Sequence, residues 1–284
     1  GLKVDTQRFN SGGDMVVPLA QGDLAAGAGA TSAGFYNAIL RGIQIKIVAD
    51  KGTILPDWNY VTLMVRKDLY DSGALHDYKD LKGKKIAITA PESSNAIQLD
   101  AAMRKGGATL KDAQTVILSF ADMGAAFSNK SIDAGIVSEP FITRYKETNL
   151  AVNLGGVADF YPPGQETAIV MYSPKFATDE AAATRFMTAY IQGARDYNDA
   201  FTKNKGKDQV ISILAKDTTV TQPDLWNRMA LAAINPNGEV DTKSLQRDLD
   251  WYESEGNVKG KVDLSDIIDT HFAKAVVDKL GRYS

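Results

Sequence analysis

The stretch from Leu81 to Gly107, LKGKKIAITAPESSNAIQLDAAMRKGG, constrains the fold of this chain more than any other. A turn at Lys82-Gly83 leads into a short apolar strand, Lys85 to Thr89. A polar loop follows, Ala90 to Asn95, and the spacing then predicts a helix from Ala96 to about Lys105, stopped by Gly106-Gly107. Apolar run, small polar loop and helix start in immediate succession make the strand-to-helix unit of a layered α/β sheet. Such a loop exposes unpaired backbone N–H groups beside the positive end of the helix dipole, so it can hold a polar or anionic ligand. Ser93, Ser94 and Asn95 are candidate ligand contacts for that reason. They are also good N-cap types, and capping alone would account for them.

The alternation continues on both sides of this stretch. Gly1 to Phe9 alternates apolar and polar residues as a strand does; Asn10 to Asp14, with Ser11 and Gly12, forms a loop; Met15 to Gln21 is a short helix and Asp23 to Ala28 a small-residue strand. A helix after Thr31-Ser32 runs to Arg41 with Gly42 as its stop, and a strand covers Ile43 to Ala49. Downstream, Thr115 to Phe120 and Ile132 to Val137 are strands. Between them lie a loop, Ala121-Asp122-Met123, and a helix from Gly124 to Lys130; Ser138-Glu139-Pro140 opens the next helix. Repeated strand-helix alternation predicts mostly parallel sheets with crossover helices, in two lobes on one plan. Lobe I is expected to hold residues 1–82 and 168–284 and lobe II residues 83–167. Two extended crossings serve as the hinge near 60–68 and 165–172, the second after the turn Pro162-Pro163-Gly164. From Thr178 onward the pattern is helical: Glu180 to Phe201, Asp208 to Ala215, Gln222 or Pro223 to Ala233, and Lys243 to Glu253. The aromatic stripe Phe186, Tyr190, Tyr197 and Phe201 reads as core.

Composition removes several kinds of chemistry. With 284 residues the chain suits about two domains. A net charge of −3 without a concentrated basic face argues against nucleic acid. No apolar run is long enough to span a bilayer. No basic-then-apolar leader opens the chain, so a secretory leader, if one existed, is expected to be gone already. Cysteine is absent and histidine occurs only at His76 and His271, which leaves no thiol catalysis, no disulfide and little material for a metal site. Both histidines read as surface or packing residues. No nucleophile-elbow, Walker-type or dinucleotide-binding glycine motif is present. No catalytic residue, metal ligand or cofactor is therefore assigned.

Three segments taken together carry a family resemblance: Asp80-Leu81-Lys82-Gly83-Lys84-Lys85-Ile86-Ala87; Ser131-Ile132-Asp133-Ala134 leading to Ser138-Glu139-Pro140-Phe141; and Glu255-Gly256-Asn257-Val258-Lys259-Gly260-Lys261-Val262-Asp263. In order and spacing the chain resembles the solute-binding proteins of ABC importers, in the nitrate, sulfonate, taurine and thiamine-precursor branch. The resemblance covers nearly the whole chain. It implies a type II periplasmic-binding-protein fold, two α/β lobes that close on a small molecule and present it to the permease subunits of an importer. It also implies a periplasmic home, or an extracellular one on a lipid anchor, and a monomer is expected. In that family Gly1-Leu2-Lys3-Val4 would follow a first strand and helix, which this chain lacks.

By that resemblance and by position, Ser11, Gly12, Thr31 and Ser32 are expected to offer contacts from the first lobe, with Ser93, Ser94 and Asn95 opposite. Lys51 at a strand end could meet an anionic head group, and Trp58 could stack on an apolar portion. A solvated lysine and a packed hinge tryptophan are the plain alternatives. Asp122 rims the cleft; Glu139 either accepts from a ligand amine or neutralises a helix N-terminus beside Pro140. Glu92, Asp122 and Glu139 would oppose a sulfonate unless helix ends and Lys51 offset them. The ligand stays open among sulfonate, carboxylate and pyrimidine-like molecules. The rival reading is an enzyme on the same scaffold, a lyase of small acids.

Overall fold

The structure is a computed structural model that describes residues 2–9, 11–162 and 164–284. In chain order, a single 3₁₀ turn at Gly13–Met15 precedes α1 (Val16–Gln21), β1 (Ala26–Gly29), α2 (Ala33–Leu40), β2 (Lys46–Ile54), β3 (Val61–Arg66), α3 (Lys67–Asp71), β4 (Lys85–Ile88) and α4 (Ser94–Lys105). β5 (Gln114–Ile117), α5 (Phe120–Ser128), β6 (Ala134–Ser138), α6 (Phe141–Glu147), β7 (Ala151–Gly156), α7 (Val157–Phe160) and β8 (Gln165–Tyr172) follow. The remainder is helical: α8 (Pro174–Ala177), α9 (Glu180–Thr202), α10 (Lys207–Asp217), α11 (Thr242–Ser254) and α12 (His271–Leu280).

The chain divides into two units. Unit 1 holds Gly1–Thr53, Glu166–Pro223 and Ala233–Ser284; unit 2 holds Ile54–Gln165 and Asp224–Ala232. The first division falls after Thr53, where sequence reading had placed it at residue 82. The reason is β3. Instead of crossing between units, it lies inside the unit 2 sheet, paired antiparallel to β6 on one side and β7 on the other. The chain passes between units at Thr53–Ile54 and Gln165–Glu166, inside β2 and β8, and again at Pro223–Asp224 and Ala232–Ala233.

Unit 1 is built on a three-stranded sheet of order β1-β8-β2. β8 is buried along its whole length, which is why its sequence reads as polar residues running straight into Ala168-Ile169-Val170-Met171 without alternation. β1 pairs antiparallel to it and consists of Ala-Gly-Ala-Gly, so α1 can lie close: a methyl group at Gly27 would stand 3.2 Å from Leu19 Cδ1. Val48, Val170, Tyr172, Met187, Ile191, Phe272 and Val276 form the core, with Phe186 and Tyr190 of the aromatic stripe packed against it. The Tyr172 ring meets Phe176, Phe186 and Phe272 edge-on, and its hydroxyl donates to the Ala183 carbonyl at 2.9 Å.

Unit 2 carries a five-stranded sheet, β5-β4-β6-β3-β7. β4 runs parallel to β5 and β6, whereas both pairings of β3 are antiparallel. The sheets are therefore mixed rather than mostly parallel. β7 is an element that sequence reading did not find: Ala151-Val152-Asn153-Leu154-Gly155-Gly156 is short, carries Asn and a glycine pair, and pairs with β3 through a register shift between Leu63 and Met64. Met64, Ala87, Met123, Phe127, Val137, Ile142 and Tyr145 fill the core.

Two further expectations are corrected. Residues 2–9 have no regular secondary structure and are exposed along most of their length; alternation alone makes no strand where no ladder partner takes up the backbone groups. Gly1 and Asn10 lie outside the described residues, as does Pro163 of the predicted turn, while Gly164 has a φ of 82°. The helix expected from Gln222 to Ala233 is only a 3₁₀ segment, Pro223–Asn227. Ala233 instead exchanges backbone hydrogen bonds with Thr53, 2.8 and 3.2 Å, so sheet pairing takes the residues that a helix would have used.

Candidate functional site

In unit 2, β4, β5 and β6 point the same way, so the loops after Ile88, Ile117 and Ser138 emerge at one edge of the sheet, each leading into α4, α5 or α6. Loops at the carboxyl ends of parallel strands are where open α/β sheets bind ligands. Ser93 takes the N-cap position of α4, but its Oγ donates back to the Ala90 carbonyl at 2.7 Å and does not cap the helix. Ser94 begins the helix and is half-buried. Asn95 is buried and its amide is fixed at both ends: Thr89 Oγ1 donates to Asn95 Oδ1 at 2.8 Å, and Asn95 Nδ2 donates to Gln98 Oε1 at 3.0 Å. Gln98 Nε2 in turn donates to Gln165 Oε1 at 2.9 Å, so a line of buried amides leads from the β4 loop to the residue where the chain leaves unit 2.

Asp122 and Glu139 share that sheet edge and serve helix ends. Asp122 lies in the first turn of α5, where a loop had been expected; it is exposed and accepts from Ser119 Oγ at 2.6 Å, while Ser119 Oγ accepts from the Asp122 amide. Glu139 accepts from the Thr143 amide at 3.0 Å, from Thr143 Oγ1 at 2.9 Å and from the Ala230 amide at 3.1 Å. Burial pushes its carboxyl up, and these three donors pull the other way. Of the two roles open to Glu139, the helix-end role is the one this geometry serves. Trp58 is half-buried and closes a tight turn, its amide donating to the Leu55 carbonyl at 2.9 Å.

Unit 1 brings Ser11, Gly12, Thr31 and Ser32 together. Gly12 lies so close to the chain at Ala30 that a Cβ would stand 1.9 Å from the carbonyl oxygen; only glycine fits. A methyl group at the next residue, Gly13, would be 3.4 Å from Ser32 Oγ and 3.6 Å from Ser11 Oγ, which puts both hydroxyls over the same glycine. Ser32 Oγ caps α2, accepting from the Phe35 amide at 3.2 Å. Thr31 is buried. Lys51 is exposed on β2, next to Asp50, which is 1% exposed.

Sequence reading missed a group of buried polar residues in unit 1. Asp50 accepts from the amides of Asn235 at 2.6 Å and Gly52 at 3.0 Å and from Thr53 Oγ1 at 3.1 Å; burial outweighs these and pushes its carboxyl up to about 6. Glu166, 3% exposed, accepts through Oε2 from the Asp241 amide, and its own amide donates to Ser244 Oγ at 2.8 Å. Burial first, then the Asp50 charge, push the Glu166 carboxyl up to about 9 against the pull of the Asp241 amide. Its legible signal was the polar run Gln165-Glu166-Thr167 at the mouth of a strand that is otherwise apolar.

A family model described as NMT1/THI5 like matches residues 1–200. No curated protein matches the chain by sequence. Among solved structures, the chain is similar to the alkanesulfonate-binding protein SsuA from Xanthomonas axonopodis pv. citri bound to MOPS, with 18% identity and a TM-score of 0.70 over 92% of this chain and 86% of that one. The periplasmic nitrate-binding protein NrtA from Synechocystis PCC 6803 is similar at 15% identity and a TM-score of 0.74, over 96% and 80%. The desulfurization enzyme DSZB is similar at 14% and 0.63, over 91% and 87%. These likenesses establish the periplasmic-binding-protein fold. The family model spans well over half of the residues, and the chain belongs to the NMT1/THI5-like family.

Proposed function

We propose that this protein is the solute-binding receptor of an ABC importer, capturing a small polar organic molecule by closure of its two units and delivering it to the permease subunits. The observation that carries the reading is the pairing of family and geometry: an NMT1/THI5-like chain whose two units each gather hydroxyls and amides at a helix start, Ser11, Thr31 and Ser32 by α2 in one, Ser94 and Asn95 in the first turn of α4 in the other. A ligand that touches both units only when they are closed shifts the balance by its differential affinity. The periplasmic neighbours support an extracytoplasmic site of action.

The ligand-binding role of Lys51, Trp58, Asp122 and Glu139 belongs to the same proposal, with Glu139 acting by holding the start of α6 and residue Ala230 in place. The second reading is an enzyme on this scaffold, favoured by the likeness to DSZB. A thermal-shift screen of sulfonates, carboxylic acids, pyrimidines and amino acids tests the receptor reading. A native-state ligand at a hundredfold excess over Kd stabilises by about 2.7 kcal/mol, so a clear rise in Tm is expected for one class, and a flat response across the panel counts against a competent site.

A further inference from the structure

A turn where the chain re-enters unit 1 is held from two sides. Asn235-Pro236-Asn237-Gly238 has the residues of a β-turn, Pro in the second place and Gly in the fourth, and the Gly238 amide closes it on the Asn235 carbonyl at 3.0 Å. On one side the turn grips β2. The Asn235 amide donates to Asp50 Oδ2 at 2.6 Å, and the Asp50 amide donates to the Gly238 carbonyl at 3.3 Å. Just ahead of the turn, Ala233 and Thr53 exchange their pair of backbone hydrogen bonds. Thr53 is the last residue of unit 1 before one crossing, and Ala233 is the first after another. The unit 1 ends of these two crossings are therefore tied to each other and to one turn.

On its other side the turn is held by residues 281–284. Asn237, 7% exposed, pairs with the backbone of Tyr283 as a neighbouring strand would: Oδ1 accepts from the Tyr283 amide at 2.9 Å, and Nδ2 donates to the Tyr283 carbonyl at 3.2 Å. The Arg282 guanidinium forks onto both carboxylate oxygens of Glu239, at 2.8 and 3.1 Å. α9 supplies the anchors. Arg195 donates to the Pro236 carbonyl at 3.1 Å, to Asn237 Oδ1 at 3.2 Å and to the Gly281 carbonyl at 2.6 Å, and Asp199 accepts from the Tyr283 hydroxyl at 2.6 Å. Yet the tail itself buries little: Gly281, Arg282 and Ser284 are exposed and Tyr283 is half-buried. A surface segment gripped by polar side chains opens at far lower cost than a core strand, and exposed ion pairs add little to its hold. It can come away while the apolar core of unit 1 stays packed.

We propose that residues 281–284 are a latch on the two crossings. Seated, the tail keeps the turn at residues 235–238 against Asp50 and keeps Thr53 paired with Ala233; released, it lets that pairing open. The latch stands apart from the receptor reading, and where a solute is captured it sets how freely these crossings bend.

The test is residue-resolved amide hydrogen exchange on the wild type and on a chain ended after Leu280. The amides of Asp50, Thr53, Ala233, Asn235 and Gly238 all donate hydrogen bonds in the seated state. Without the tail their exchange is expected to quicken about tenfold or more, as for the loss of two net hydrogen bonds, while the amides of β4 and β8 keep their wild-type rates. Unchanged exchange at the five amides overturns the latch. Equal quickening along β8 overturns it too, because the tail would then stabilise unit 1 as a whole. Should the shortened chain fail to fold, Tyr283→Ala strips the hydroxyl from Asp199 and the ring from beneath Lys203, whose Nζ lies 4.2 Å from its centroid. The same five amides are then expected to quicken by a smaller factor with β8 unmoved, and wild-type rates at all five would overturn the latch.

Discussion

Gln98 Nε2 donates to Gln165 Oε1 across 2.9 Å, and the two side chains, each 1% exposed, tie the first turns of α4 to the start of β8. Because Gln98 Oε1 also accepts from Asn95, the loop amide is oriented from the residue at which the chain leaves unit 2.

Gln98→Leu removes both contacts and leaves the Asn95 and Gln165 amides short of a partner. A loss of about 1–3 kcal/mol in unfolding free energy is expected, measured by urea denaturation. A loss confined to a few tenths would mean that the amide line contributes nothing.

Gly12→Ala places a methyl group where the Ala30 carbonyl already stands, 1.9 Å away. The loop must shift, and with it Ser11 and Ser32. Thermal unfolding should register a destabilisation of about 1–3 kcal/mol. An unchanged Tm would show the loop to be freer than its packing.

Stability should depend on pH through Glu166. Its folded value of about 9 lies above the ordinary 4.5, so between those limits the native state holds a proton that the unfolded chain has lost. Stability is therefore fullest below about pH 4.5 as far as this group is concerned, and falls as pH rises toward 9. Asp50, raised from 3.8 to about 6, adds a decline of the same sign at lower pH. Glu166→Gln should flatten the Tm profile between pH 6 and 9. A wild-type Tm that climbs through that range would refute the assignment.

Glu139→Ala should cost about 1–3 kcal/mol, because it strips an acceptor from the Thr143 and Ala230 amides. Glu139→Gln keeps one acceptor oxygen and should fall between. Equal stability of all three forms, by chemical denaturation, would remove the carboxylate from this role.

The strand-to-helix unit around Lys85 to Lys105 was legible because its period, loop and glycine stop all agree, and the structure changes its bounds by no more than a residue or two. Where one signal stood alone it failed. Alternation at residues 2–9 had no partner strand, and the helical spacing before Ala233 lost to pairing with Thr53. Of the candidate contacts, the sequence marks the residues at helix starts, Ser32 as the N-cap of α2 and Asn95 in the first turn of α4, because cap types stand out there. Glu166 was not legible, since a charged residue ahead of an apolar strand looks like a solvated one. Only tertiary packing shows that Glu166 is buried.

Calorimetry with the best compound from the thermal screen, followed by mass spectrometry of what is recovered, tests the receptor claim most directly. One molecule should bind per chain and be released chemically unchanged; a compound returned altered after incubation would make the protein an enzyme instead.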